Sequence, residues 1–321
     1  MDKKTQLSLF QKMYLIRSME EKIVELYPEQ EMRCPVHLCI GQEAVAAGVC
    51  ENLTKEDYVF SNHRSHAHYL AKGGDPKGLL AELYGKVTGC SRGRGGSMHL
   101  IDLSVNFIGA TPILGGTIPM AVGAALSSKM QGKGNISVVF FGDAAVEEGI
   151  FHESLNYASL RKLPVLFICE NNLYSVQTPL SKRQPNRKIS SVAIGHSIKS
   201  YREDGNNVVK VYDLAKKSIN KIRKAHEPIF LEFLTYRWRE HCGPFYDYDL
   251  GYRSKEEIEK WEKQCPLKKY KRNLLSKNIV TSKEIEQISH KIAIEIEEAV
   301  DFAKKSSFPP RNELEKFVYS E

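Results

Sequence analysis

Hydrophobic side chains recur every three or four residues at the start of the chain, over residues 5–27. This spacing places them along one face of an amphipathic helix. Another helix is predicted to run to about Met130 with Pro119 in its first turn, where proline is tolerated. Five more helices are predicted, over residues 76–88, 149–161, 213–225, 254–263 and 282–305, the last ending before Pro309-Pro310.

Short apolar runs alternate with these helices and predict strands over residues 136–141, 165–169, 207–212 and 228–236. Such runs, ended by polar residues, are typical of parallel strands buried on both faces. The alternation predicts an α/β fold, with a doubly wound, mostly parallel sheet. Without repeats or a low-complexity linker, one domain is expected over 1–321: a helical arm (1–35), an α/β core (about 36–240), and a loop with C-terminal helices (241–321).

Composition narrows the class of protein. The 321 residues are 42% hydrophobic and 26% charged, which is ordinary for a globular chain. The net charge of +7 is spread without a run of five or more basic residues, so no nucleic-acid face is predicted. A basic balance instead suits anionic small molecules and an acidic protein partner.

The seven cysteines show no CxxC pair, and their number is odd. Free thiols in a reducing compartment are therefore expected. The N-terminus leads into the amphipathic helix with no apolar signal core, and the longest apolar stretches, at about seven residues, are far too short to span a membrane. These features predict a soluble, cytoplasmic protein without a membrane partner.

Polar residues follow two of the predicted strands. Asp143 closes the run at Phe141, and Asn172 closes the run at Cys169. Ligands bind outside the carboxyl ends of parallel strands, so both side chains are expected at one edge of the sheet. Their carboxylate and amide oxygens suit a hard cation such as Mg²⁺, which often accompanies a phosphorylated ligand. A strand-to-helix turn that merely contains an Asp is the alternative.

Three histidines and an arginine lie close together at His63, Arg64, His66 and His68. Arginine can hold a diphosphate with two hydrogen bonds, and a neighbouring histidine can donate to it. Zinc binding is a less favoured alternative, because the rest of the sequence offers no matching His/Cys cluster. A polar turn with solvated imidazoles is the third possibility.

Two further segments draw notice. Residues 89–96 are rich in glycine and arginine, but they lack the Gly-Lys-Ser/Thr ending of a Walker loop and follow no clear strand, so a basic, flexible loop is predicted. His241 leaves the last predicted strand at its carboxyl end and opens a loop rich in Gly, Pro, Tyr and Asp. That position suits proton transfer and a structural role equally.

Taken together, the chain resembles the alpha subunit of the thiamine-diphosphate-dependent 2-oxo acid dehydrogenase first component, in its pyruvate and acetoin dehydrogenase branch. Residues 145–170 separate Gly142-Asp143-Ala144 from Asn171-Asn172, close to the spacing of the thiamine-diphosphate motif. The resemblance covers about residues 8–305 and rests also on His37 to Ala44, His63-Arg64, Gly95 to His99, Gly115 to Pro119, Phe151 to Asn156 and Gly251 to Arg253. It implies the thiamine-diphosphate-binding fold with helical N- and C-terminal extensions.

The resemblance also implies the metal and diphosphate contacts. Asp143 and the Asn172 side chain would bind Mg²⁺, and the backbone carbonyl of Tyr174 would complete the protein ligands. Arg64 would grip the diphosphate, and His63 stands where the family has Tyr or His.

The other cofactor contacts and the catalytic residues are implied in the same way. Leu114 would pack against the bent cofactor, Pro112 and Ala144 would contact it through their backbones, and Ala145 would donate a backbone hydrogen bond to the diphosphate. His241 matches a loop histidine near the reacting carbon, and His66 matches a second active-site histidine.

The implied function is that of an oxidoreductase acting on the oxo group of a 2-oxo acid or acetoin. With a beta subunit, in an α2β2 heterotetramer, it would carry out decarboxylation or C–C cleavage and pass the acyl group to lipoamide. A lipoyl acyltransferase component is the second implied partner. In the family, the beta subunit supplies the glutamate that activates the aminopyrimidine, so this chain alone is expected to be catalytically incomplete.

Departures from the family pattern cluster around the substrate entrance. Ala144 replaces a glycine, Cys242 replaces a regulatory serine, residues 242–250 form an unusual loop, and Arg33-Cys34-Pro35 stands where Arg-Gly-Phe is common. They keep two alternatives open. One is a thiamine-dependent carboligase or transferase subunit that acts on a sugar or keto-acid acceptor, and the other is a non-catalytic thiamine-diphosphate-binding protein.

Overall fold

Six parallel strands form the main sheet of the computed structural model, which describes residues 1–313 and 315–316. The strand order is β2-β1-β3-β4-β8-β7, and β5 and β6 form a separate antiparallel pair. The strands are β1 (Tyr58–Ser61), β2 (Phe107–Ala110), β3 (Ser137–Gly142), β4 (Val165–Asn171), β5 (Tyr174–Ser175), β6 (Thr178–Pro179), β7 (Lys199–Asp204) and β8 (Ile229–Leu234). The predicted α/β fold with a mostly parallel sheet is confirmed.

Helices cover both faces of the sheet. They are α1 (Lys3–Leu26), α2 (Glu43–Cys50), α3 (His66–Lys72), α4 (Pro76–Leu83), α5 (Thr117–Met130), α6 (Gly149–Leu160), α7 (Leu180–Arg183), α8 (Ser190–Gly195), α9 (Val208–Ala225), α10 (Lys255–Glu262), α11 (Pro266–Ser276) and α12 (Ser282–Lys305). Among the described residues, none of these helices combines the length and apolarity needed to cross a membrane.

The buried central strands explain why helices lie on both sides. Successive side chains of a strand point to opposite faces. On β3, Val138 and Phe140 enter a core shared with α1, α2 and α9, whereas Val139 and Phe141 enter a core shared with α5, α6 and α8. The apolar run recognised in the sequence is therefore the signature of a strand buried on both faces.

One predicted strand is wrong. Residues 207–212 begin helix α9, in which Val208, Val211, Tyr212 and Ala215 are buried at helical spacing. The Asn207 side chain caps this helix by accepting a hydrogen bond from the backbone N–H of Lys210 at 3.2 Å. The strand expected in this region is β7, slightly earlier in the chain. As an edge strand with largely exposed side chains, β7 lacks an apolar run.

A buried ion pair connects the N-terminal helix to the functional edge of the sheet. Arg17 on α1 contacts Glu43 at 2.6 Å, and Glu43 also accepts the backbone N–H of Gly41 at 3.0 Å. Gly41 has a φ of +99°, and a Cβ there would lie 2.5 Å from the Tyr236 carbonyl oxygen, so the turn requires glycine. This turn carries Gln42 to the carboxyl ends of the strands.

Candidate active site

A cleft opens at the carboxyl ends of β1, β3 and β4, with about 1050 Å³ of empty space that is partly open to solvent. Most of the predicted site residues line it. They are His63, Arg64, Pro112, Leu114, Asp143, Ala144, Ala145, Asn172, Tyr174 and His241. Residues from distant parts of the sequence therefore meet at the carboxyl ends of the strands, as expected for a parallel sheet.

One wall of the cleft is rich in oxygen atoms. Gly142 and Glu170 are paired neighbours on β3 and β4, so Asp143 and Asn172 follow adjacent strands. The Asp143 carboxylate is buried and forms an ion pair with Arg183, which also contacts Glu147. Burial raises the pKa of Asp143 to about 6, against the lowering effect of the Arg183 charge.

The Asn172 side chain is held from two sides. Its Nδ2 donates to Gln42 Oε1 at 3.1 Å, and its Oδ1 accepts the backbone N–H of Tyr174 at 3.2 Å. A carboxylate and an oriented amide oxygen at one sheet edge are suitable ligands for Mg²⁺. The metal role of the Tyr174 backbone carbonyl stays a prediction, although the residue lies in the cleft.

A second wall of the cleft carries a buried positive charge. Arg64 is buried, and it donates to the carbonyl oxygens of Leu38 at 2.7 Å and His241 at 3.3 Å. Within the described residues no carboxylate lies within 4 Å of its guanidinium. Burial and the nearby Arg237 lower the pKa of Arg64 to about 10, so it remains charged at neutral pH. A buried cation without a counter-ion favours an anionic ligand.

Three imidazoles lie close together near this arginine. The rings of His37, His63 and His241 have centroid separations of 4.8, 5.0 and 5.2 Å. Burial and the Arg64 charge lower the pKa of His37 to about 2 and those of His63 and His241 to about 3. All three are therefore neutral at pH 7 and can accept protons or donate hydrogen bonds.

The structure does not bring His66 into the cleft. This histidine is fully buried at the start of α3, with Nδ1 3.0 Å from Glu20 Oε1 and Nε2 2.7 Å from Ser97 Oγ. Ser97 precedes Met98, which does line the cleft. His66 is thus placed to position this segment rather than to touch a bound molecule.

The glycine-rich segment is organised by a carboxylate of the protein itself. Glu82 is buried and accepts backbone N–H groups of Ser91, Gly93, Gly95 and Gly96 at 2.7 to 2.9 Å. The predicted basic, flexible loop is therefore an ordered turn around Glu82. Its amide donors are already used, so they are not available to a phosphate group.

The loop after His241 is also ordered by buried charge. Asp247 accepts hydrogen bonds from Arg237 at 3.1 Å and from Arg253 at 2.7 Å, and the Tyr252 hydroxyl also contacts it. Burial opposes ionisation, but the Tyr252 hydrogen bond and the two arginine charges lower the pKa of Asp247 overall. This cluster holds the loop that carries His241 against the cleft.

Sequence reasoning assigned no role to His37, Gln42, Arg183 or Gln184. His37 and Gln42 lie inside a segment used for the family resemblance, which was a usable signal. Arg183 carried no such signal, because it sits on the short helix α7, eleven residues beyond Asn172 in the chain. Gln184 donates to the Asp143 backbone carbonyl at 3.0 Å.

Comparison with known proteins agrees with this geometry. Residues 11–312 match the model of the dehydrogenase E1 component family. The chain is 38% identical over 312 residues to the alpha subunit of acetoin:2,6-dichlorophenolindophenol oxidoreductase of Bacillus subtilis (strain 168), covering 97% of this chain and 92% of the relative. It is 36% identical to the pyruvate dehydrogenase E1 component subunit alpha of Porphyra purpurea, covering 98% of this chain and 93% of the relative. The corresponding protein of Rickettsia bellii (strain RML369-C) is also 36% identical, with 97% and 94% covered.

Proposed function

Since this chain belongs to the dehydrogenase E1 component family, we propose that it is the alpha subunit of a thiamine-diphosphate- and Mg²⁺-dependent dehydrogenase. Its substrate class is a 2-oxo acid or acetoin. Two of the relatives carry acetoin and pyruvate in their names, and these names define the proposed range.

The observation that carries the proposal is the charge arrangement across the cleft. A buried carboxylate, Asp143, and a buried, uncompensated guanidinium, Arg64, line the same cavity. A cation bound to a diphosphate would present its positive charge to the Asp143 carboxylate and the negative phosphate oxygens to the Arg64 guanidinium. The residues present therefore fit the cofactor and its metal.

Each wall has its own task in this proposal. Asp143, the Asn172 amide and the Tyr174 backbone carbonyl hold Mg²⁺, once Arg183 has left Asp143. Arg64 and His63 hold the diphosphate, and the backbone N–H of Ala145 donates to it. Leu114, which is 40% exposed at the cleft, offers an apolar surface to the ring system.

The chemistry needs a proton donor or acceptor near the reacting atoms. When bound, thiamine diphosphate supplies the nucleophilic carbon and the electron sink for cleavage next to a carbonyl group. The neutral His241 can hold or deliver a proton there, and Asp247 positions its loop through Arg237 and Arg253. His37 is a second neutral imidazole at the same place.

The proposal includes two protein partners. A beta subunit in an α2β2 heterotetramer provides the glutamate that activates the cofactor, and a lipoyl acyltransferase component accepts the acyl group. We expect the isolated chain to show no turnover and the chain with its beta subunit to decarboxylate or cleave its substrate. Turnover by the chain alone, with mass spectrometry excluding a co-purified partner, would refute the two-subunit arrangement.

The deciding experiment is cofactor binding followed by a substrate screen. Calorimetric titration of the assembled protein with thiamine diphosphate should show binding that requires Mg²⁺. Arg64→Gln should weaken that binding by about 100-fold, since a charged hydrogen-bonding pair contributes about 1.5–3 kcal/mol. Arg272→Gln, on the exposed side of α11, is the matched control.

The screen then separates the alternatives. Pyruvate, other 2-oxo acids and acetoin are offered with a dye or lipoamide as electron acceptor. Product formation only with sugar or keto-acid acceptors would favour the carboligase alternative. Cofactor binding without turnover in the presence of any beta partner would favour a non-catalytic binding protein.

A further inference from the structure

Three histidines from separate segments of the chain converge on one point of the cleft. His37 precedes α2, His63 lies between β1 and α3, and His241 follows β8. One ring nitrogen of each can be chosen so that all three lie within 4.8 Å of one another. We propose that these three residues form a binding site for a borderline transition metal such as Zn²⁺, separate from the oxygen ligands at Asp143.

The lone pairs of these rings are available. No hydrogen bond to any of the three rings is formed within residues 1–313 and 315–316. The Nδ1 atom of His37 is buried and has no hydrogen-bond partner in the part of the chain that the structure describes. A buried polar atom without a partner is costly, and a coordinated cation would satisfy it.

The donor set determines which metal fits. Three imidazoles with an open fourth position make a recurrent zinc site, with Zn–N distances of about 2.0–2.1 Å. A tetrahedral arrangement would bring the three nitrogens to roughly 3.4 Å from one another. From 4.8 Å this requires each ring to move by about 1 Å, within the reach of side-chain rotation. Mg²⁺ and Ca²⁺ prefer oxygen ligands and should not bind here.

Nearby positive charge sets a limit on the affinity. Burial, Arg64 and Arg237 all lower the pKa of His241, and the two arginine charges also oppose a bound cation. An anion in the fourth coordination position would offset them. Inorganic phosphate should therefore strengthen Zn²⁺ binding, whereas it would weaken binding at a site without these arginines.

A consequence rests on the proposed function. His63, His241 and Arg64 are also the residues that we assign to the diphosphate and the reacting atoms. Zn²⁺ on the three histidines and thiamine diphosphate should therefore exclude each other. Zn²⁺ bound to the cofactor-free subunit would then block cofactor binding, and cofactor that is already bound would prevent Zn²⁺ from binding.

The test uses the full chain after removal of metals with a chelator. Co²⁺ titration should give the intense visible absorption of a four-coordinate nitrogen site at one equivalent, and calorimetry should give the Zn²⁺ affinity. An excess of Mg²⁺ should not change either result. Absence of a saturable site for Co²⁺ and Zn²⁺ would overturn the inference.

Variants identify the ligands. We expect at least about a 100-fold loss of Zn²⁺ affinity in each of the variants His37→Gln, His63→Gln and His241→Gln. Replacing a residue that only supports a metal ligand lowers metal affinity by about 10–100-fold, so loss of a ligand itself should cost at least the upper value. Thermal melting of the metal-free variants checks that each is folded. The controls are His196→Gln and Cys242→Ser, since His196 pairs with His152 at 3.3 Å and Cys242 is an exposed thiol next to His241.

The outcomes separate this inference from the proposed function. Zn²⁺ binding that persists in the three glutamine variants, or that disappears in either control, overturns the histidine site. Thiamine diphosphate with Mg²⁺ should displace Co²⁺ from the wild-type chain assembled with its beta subunit. If Co²⁺ binds through the three histidines but is not displaced, the metal site stands and the placement of the diphosphate is wrong.

Discussion

The two walls of the cleft differ in how their buried charged side chains are paired. At the oxygen-rich wall, Asp143 is buried but is paired with Arg183, which also reaches Glu147. At the nitrogen-rich wall, the Arg64 guanidinium is buried, and among the described residues its hydrogen-bond partners are carbonyl oxygens. One wall is neutralised by the protein itself, and the other keeps a net positive charge.

This difference predicts how readily each wall accepts its ligand, an anion near Arg64 or a cation at Asp143. An uncompensated buried cation costs stability, and an anionic ligand recovers that cost directly. A cation at Asp143, in contrast, must first displace Arg183. The nitrogen-rich wall therefore needs no rearrangement to receive the diphosphate, whereas the oxygen-rich wall should bind the metal well only together with the diphosphate.

The largest expected effect comes from removing the carboxylate. Asp143→Ala should abolish Mg²⁺-dependent binding of thiamine diphosphate, because Asn172 is a neutral ligand and Arg183 would then have no buried partner. Calorimetric titration of the assembled protein measures this, with Asp213→Ala on the exposed face of α9 as control. Unchanged affinity would remove Asp143 from the metal site and leave the oxygen-rich wall without a function.

The next effect belongs to the nitrogen-rich wall. His241→Ala should lower turnover by roughly 10²–10⁴-fold, the usual range for general acid–base catalysis. Cofactor affinity should change far less, because Arg64 remains. Steady-state rates and calorimetry on the same variant separate the two, and His290→Ala on the exposed side of α12 is the control. Normal turnover with lost cofactor binding would make His241 a diphosphate ligand instead.

The walls should also differ in their response to pH. The raised pKa of Asp143, about 6, means that the folded protein holds this proton more tightly than the unfolded chain. The carboxyl is therefore protonated below pH 6, and Mg²⁺ affinity should fall about tenfold per pH unit there. His37, His63 and His241, with pKa values lowered to about 2 or 3, should add no step between pH 5 and 8. Mg²⁺ titrations at several pH values would measure this dependence. A second transition between pH 5 and 8 would contradict the conclusion that the three histidines do not titrate there.

Local sequence pattern predicted the oxygen-rich wall better than the nitrogen-rich wall. Asp143 and Asn172 follow buried apolar strands, and topology alone places such residues together. The histidine cluster depends on how three distant loops are folded, and neither His37 nor its contact with His63 has a periodic signal. His66 shows the converse, since the family resemblance implied a role in the active site that its buried contacts with Glu20 and Ser97 do not support.

The buried strands of the fold could be predicted from the sequence, whereas edge strand β7 could not. Strands β3, β4 and β8 are buried on both faces and stand out as apolar runs. Edge strand β7 is polar and partly exposed, so it has no apolar run in the sequence. A strand was predicted instead at the apolar start of α9. Arg183 was missed because an ion pair between a short surface helix and a strand end leaves no local pattern in the sequence.

The smallest effect, and the most direct test of the contrast between the walls, concerns Arg183. Arg183→Gln removes the internal counter-ion of Asp143, so Mg²⁺ no longer has to displace it. We expect Mg²⁺ affinity in the presence of thiamine diphosphate to rise about tenfold, and the melting temperature of the cofactor-free protein to fall, because a buried carboxylate is left unpaired. Arg187→Gln, on the exposed stretch between α7 and α8, is the matched control. A lower melting temperature with unchanged Mg²⁺ affinity would show that Arg183 only supports the fold, and the oxygen-rich wall would then be as open to its ligand as the nitrogen-rich one.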